Sequence, residues 1–183
     1  MAISDPKETT KVVRAGMERV CKEFSARISE LGFQRTKKKI WTRRQTFTVD
    51  FIHFHRDGCS YGRPLNFSVS IRVHFGIRVL NDNFPAPALN GPLSDVEKTR
   101  SGNYHLRFNA QTGSTYDRCL EDLVRFVVEQ GEPWFQEFRS VEALLQKSHS
   151  PLRDNEKQLL SAAIAGEVNS ANLAASLKML GIK

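Results

Sequence analysis

The stretch Val49–Cys59, VDFIHFHRDGC, carries the residues of this chain best suited to chemistry: His53, His55, Asp57 and Cys59. On a β-strand, successive side chains alternate between faces, so His53 and His55 point the same way and form a ready two-nitrogen edge for a metal. A catalytic zinc typically takes about three protein ligands and a structural one about four, and His74 and His105 are the other histidines in reach of a sheet. The outcome depends on strand register. If Phe47, Val49 and Phe51 face the core, His53 and His55 lie on the opposite side of the sheet from His74. If Ile52 and Phe54 turn inward instead, His53, His55 and His74 share a face. Cys59 near His55 is the arrangement of a thiolate and its base, as in a cysteine hydrolase. A turn cysteine in a hairpin is the simpler reading. His55-Arg56-Asp57 repeats the triplet of the kinase catalytic loop, but Gly62 stands where that loop needs asparagine, so the match is chance. No nucleophile elbow, phosphate loop or HExxH zinc motif occurs in the chain. Asp50, set among apolar residues, calls for a nearby arginine, because a lone buried carboxylate is costly.

A second set is basic. Arg35, Lys37, Lys38, Lys39, Arg43 and Arg44 crowd one segment around Trp41. Such a run suits nucleic acid, with lysine and arginine on phosphates and an exposed indole stacked on a base. Strand alternation would put Lys37, Lys39, Trp41 and Arg43 on one face, and Lys38, Ile40 and Arg44 on the other. The plainer alternative is a lysine-rich edge strand, protected by its charges from pairing with other chains. The net charge of +7 agrees with an acidic partner, either nucleic acid or a protein surface.

These residues need elements to hold them. Val13, Met17, Val20, Cys21, Phe24, Ile28 and Leu31 recur at helical spacing, and Gly32 follows as a cap, which predicts a helix over 7–31. Cys21 lies on its apolar stripe and reads as a buried small hydrophobe. From Phe33 the period becomes two. KIWTRR, TFTVDFIHFHR and LNFSVSIRVHFGI read as antiparallel strands, the last with Leu65, Phe67, Val69, Ile71, Val73, Phe75 and Ile77 on one face. DGCSYGRP, with its glycines and proline, turns the chain between the two long strands. Residues 81–101 read as a Pro-, Asn- and Gly-rich loop, followed by a short strand, NYHLRFNA. Helical spacing returns over 114–130 and 133–147, with Gly131 and Pro133 predicted to break it. The alanine- and leucine-rich end reads as a helical hairpin. The expectation is an α+β fold: an N-terminal helix, an antiparallel β-sheet, then C-terminal helices packed on one face. Residues 1–147 would form the α+β domain and 148–183 the appended hairpin.

Several of these segments together resemble a known family. Leu31-Gly32-Phe33, the basic Arg35 to Lys39, Ile40-Trp41-Thr42-Arg43-Arg44, Val49 to Ile52, Phe67 to Ile71 with Phe75-Gly76, Pro133-Trp134-Phe135 and Ser140 to Leu145 look like the domain of unknown function 4304. The likeness covers about residues 15–147. It implies an α+β fold in a bacterial protein and brings no established activity with it. His53-Phe54-His55 departs from the Gln-Lys pair that many members carry late in the second strand.

Length and composition bound the rest. The 183 residues suit one domain of about 100–200 residues with a small appendage. No apolar run reaches the ~20 residues of a membrane span, and MAISDPKETTK has no apolar stretch of a signal peptide. Three cysteines without ligand spacing point to a reducing, cytoplasmic setting. The expected function is a non-enzymatic cytoplasmic bacterial domain without cofactor that binds a protein, as immunity or accessory proteins do. Nucleic-acid binding through residues 35–44 is the alternative. A metal-dependent or cysteine hydrolase on residues 53–59 is the second alternative.

Overall fold

The computed structural model describes residues 6–56, 67–95 and 104–183. Helix α1 (Pro6–Ile28) runs into a 3-10 turn at Ser29–Leu31. Its predicted stripe is the buried one: Val13, Val20, Phe24 and Ile28 are fully enclosed, and Cys21 with them. Five antiparallel strands follow as a meander: β1 (Gln34–Lys37), β2 (Ile40–Arg44), β3 (Thr48–Arg56), β4 (Ser68–Val79) and β5 (Arg107–Asn109). The α+β architecture expected from the sequence is the one present.

The first departure lies in the basic run. It is a hairpin and not one strand: β1 and β2 pair antiparallel about a turn at Lys38-Lys39, with a register shift between Arg35 and Lys37. The alternation expected through residues 37–43 is therefore reset at the turn. No glycine or proline marks that turn, which is why periodicity alone ran straight through it.

Past the sheet, α2 (Tyr116–Phe126) continues through a π-turn at Val127–Gly131 into α3 (Glu132–Glu137). The helix was expected to break at Gly131 and Pro133, and it does not. Gly131 is there for close packing, since a Cβ would come within 2.7 Å of the Phe75 ring. Pro133 sits in the first turn of α3, where a missing N–H costs little. The chain leaves the helix only after Glu137, and α4 (Val141–Gln146) restarts with the Ser140 hydroxyl capping Ala143.

The C-terminal hairpin comprises α5 (Asp154–Ile164) and α6 (Ser170–Leu180). Its two helices join different cores. Leu160 of α5 belongs to the main core, between the first sheet face and helices α1 to α4, built on Trp41, Ile52, Phe54 and the inward residues of β4. Leu180 of α6, with Leu173, Leu177 and Ile182 beside it, covers Ile40, Val49, Phe51 and Leu80 on the second sheet face. The sheet is thus apolar on both faces at its centre. Gly76 leaves room for the Ala88 carbonyl over that second face, because a side chain there would collide with the Phe51 ring and with that carbonyl.

Candidate functional site

The register of β3 decides the histidines. Ile52 and Phe54 face the main core, whereas Val49 and Phe51 face α6. This is the second of the two registers open to the sequence. It corrects the first, which placed His53 and His55 across the sheet from His74. His53 and His55 emerge on the second face, and His53 lies directly opposite His74 in the β3–β4 ladder. The ring centroids of His53 and His55 are 3.9 Å apart, and those of His55 and His74 4.6 Å. His105 makes no ring contact with them among the described residues, and its backbone N–H is donated to Asp122 Oδ2 at 2.6 Å.

The three rings lie in contact but tilted, with 54° between the planes of His53 and His55 and 39° between those of His55 and His74. His53 Nδ1, His55 Nε2 and His74 Nδ1 are buried and find no hydrogen-bond partner among the described residues. Burial, with the neighbouring His55, His74 and Lys39 charges behind it, pushes His53 down to about 3. Burial also lowers His55, helped by Lys39 and Arg72, and lowers His74, which Asp95 partly restores. At neutral pH the cluster is an uncharged aromatic floor. Among the described residues no three His, Cys, Asp or Glu side chains form a group able to hold a metal ion. Asp57 and Cys59 lie outside the described residues. The two other cysteines, Cys21 and Cys119, are pushed up by burial to about 11 and about 12, far from thiolate chemistry.

The basic set is taken apart. Trp41, expected as a stacking platform for a base, is fully buried: its Nε1–H donates to Ser25 Oγ at 2.7 Å, and its ring packs on Phe24 and Phe54. Arg35 is held by Glu18 through two bonds of 2.7 and 2.8 Å, and also donates to the Lys38 carbonyl. Arg43 points into the protein. It donates to Asp50 at 3.0 Å, to Glu132 at 2.9 Å and to the Leu31 carbonyl at 2.9 Å, over the rings of Phe33 and Phe135. Asp50 thus has its arginine, although burial still holds its carboxyl above the ordinary range against the pull of Arg43. Arg44 is exposed at the end of β2.

What remains is Lys37, Lys38 and Lys39 at the β1–β2 turn. With Ile40 and His53 they line an open groove of about 530 Å³ on the second face. The structure therefore joins members of two sets that the sequence kept apart, because β2 and β3 pair with Ile40 opposite His53. Ile40 was not a candidate. The signal that could have found it is the pairing of β2 with β3, since one strand's alternation says nothing of its neighbour.

Arg78 was also missed. It is buried on the second face, ion-paired to Asp82 at 3.1 Å, and bonded to Ser176 Oγ and the carbonyls of Asp82, Phe84 and Ala86. An arginine inside the apolar run GIRVL was its sequence mark. No helix among the described residues is long and apolar enough to cross a membrane. No family model, no curated protein and no solved structure matches this chain.

Proposed function

We propose that this chain is a non-enzymatic, cytoplasmic protein-binding domain, of the immunity or accessory kind, whose partner docks on the second face of the sheet. The observation that carries this reading is the groove lined by Lys37, Lys38, Lys39, Ile40 and His53, open beside the part of the face that α6 covers. Its lining mixes an aliphatic side chain, an uncharged imidazole and long lysine stems, which cover apolar surface while their ammonium groups stay in water. A hydrolase on residues 53–59 is less favoured, because His53, His55 and His74 pack against one another with their charged forms suppressed by burial. Nucleic acid is less favoured because Trp41 and Arg43 are committed inside the fold and Arg35 is tied to Glu18 at the surface. The likeness to the domain of unknown function 4304 is proposed as the family context, in a bacterial setting.

The test is site-specific photo-crosslinking in the native host. Benzoylphenylalanine replaces Lys38 in the groove or, as a control, Arg118, exposed on α2. A protein adduct from position 38 that is absent from position 118 is expected. Adducts from both positions alike, from neither, or only with nuclease-sensitive material overturn the reading.

A further inference from the structure

We propose that the groove docks an acidic segment of the partner, one in which carboxylates are interspersed with apolar side chains. This rests on the protein-binding reading above and adds the chemistry of the partner.

Charge selects an acidic partner. Arg19, Arg35, Arg43, Arg78 and Arg153 are each paired with a carboxylate of this chain. Among the described residues, Lys37, Lys38 and Lys39 have no such pairing, and none of the residues lining the groove is acidic. Three consecutive ammonium groups at one turn repel one another and leave a positive potential that an anionic segment relieves. Lys37 and Lys38 are exposed, so pairing them costs little desolvation.

The floor of the groove adds an apolar requirement. Ile40 packs in the same cluster as Val49, Phe51 and Leu180, so the groove begins where the α6-covered apolar patch ends. Beyond it, His53 lies against His55, and His55 against His74, as neutral rings. A run of carboxylates alone would meet the lysines and leave uncovered the half-buried His53 ring and the rim of Ile40, 9% of which is exposed. At the groove a nucleic acid would meet only the half-buried His53 ring, tilted against His55, because Trp41 is internal. An acidic segment carrying leucine-like side chains satisfies both halves: carboxylates on the lysine rim, and apolar groups on Ile40 and the imidazole edge.

Fluorescence anisotropy with the full, untagged chain tests this. The probes are a twelve-residue peptide of Glu-Glu-Leu repeats, an all-glutamate peptide of equal charge, a Lys-Lys-Leu control and an oligothymidylate. The Glu-Glu-Leu peptide is expected to bind most tightly, with affinity falling as salt rises. Lys37→Glu/Lys38→Glu should weaken it by about tenfold or more, and Lys37→Gln/Lys38→Gln by less. Both variants change exposed side chains, and an unchanged circular dichroism spectrum verifies the fold. Amide shifts on binding should gather at residues 37–40 and 53. Equal affinity for the all-glutamate peptide, tighter binding of the oligothymidylate, insensitivity to the lysine variants, or shifts elsewhere each overturn the proposal. If the crosslink from position 38 yields a protein while the acidic peptide fails, the docking face stands and only the partner chemistry is wrong. If both fail, the protein-binding reading falls as well.

Discussion

At the scale of single residues, the histidine cluster makes stability depend on pH. His53 is pushed down to about 3 when folded, from an ordinary value of 6.5, so between these limits the unfolded chain binds the extra proton. Stability from this source is therefore complete above about pH 6.5 and is lost as the pH falls toward 3. Asp50, held high by burial, works in the opposite direction near its own titration. The informative quantity is thus the difference between wild type and His53→Gln in urea unfolding. At pH 5 the wild type should lose about 1 kcal/mol more than the variant, relative to pH 7.5, after discounting for partial exposure. Equal losses would show that the ring is solvated. Arg43 is a second case. Arg43→Met leaves Asp50 and Glu132 facing each other in a nearly dry site, and should cost about 3–5 kcal/mol of unfolding free energy. Binding at the groove by the folded variant should be unchanged, because Arg43 faces the main core. Asp50's need for an arginine was legible in the sequence, but which arginine was not, since Arg43 reaches it only across the β2–β3 pair.

At the scale of elements, α1 and β4 were the most legible. Each has one apolar face repeated over many residues, so a single period describes it. The π-turn was not legible. Gly131 reads as a stop in isolation, and only the Phe75 ring from β4 shows why a glycine stands there. Gly131→Ala should cost about 1–3 kcal/mol through overpacking, despite the better helix propensity of alanine. Thermal unfolding measures this. An unchanged or raised midpoint would mean that the Phe75 ring moves aside freely. The β1–β2 hairpin escaped the pattern for a related reason: four consecutive charged or polar residues, Arg35 to Lys38, give no apolar alternation to follow, and no Gly or Pro marks the turn.

At the scale of the whole molecule, Arg78 ties the sheet to the C-terminal hairpin. Its guanidinium reaches Ser176 on α6 and three carbonyls of the 82–86 segment, while Asn81 bonds to Leu159, Glu167 and Asn169 between the helices. Removing the charge leaves Asp82 buried and unpaired. Arg78→Leu should therefore cost about 3–5 kcal/mol, and faster amide exchange should appear throughout α6 before it appears in α1. Exchange that rises evenly over both helices would mean that the hairpin is held by its leucines alone.

The sequence by itself determined the α+β class, the buried stripe of α1, the long two-period strand of β4 and a C-terminal pair of helices. Each rests on a local pattern that one apolar face imposes on its own element. The tertiary structure alone decided where the chemistry-bearing residues stand. β3 is apolar on both faces, with Val49 and Phe51 under α6 and Ile52 and Phe54 on the main core, so no alternation could tell which face His53 and His55 would share. Burial of Trp41 and Arg43 was equally undecided until β2 paired with β3. Register and burial are set by what lies across the strand, and that partner is never adjacent in the chain.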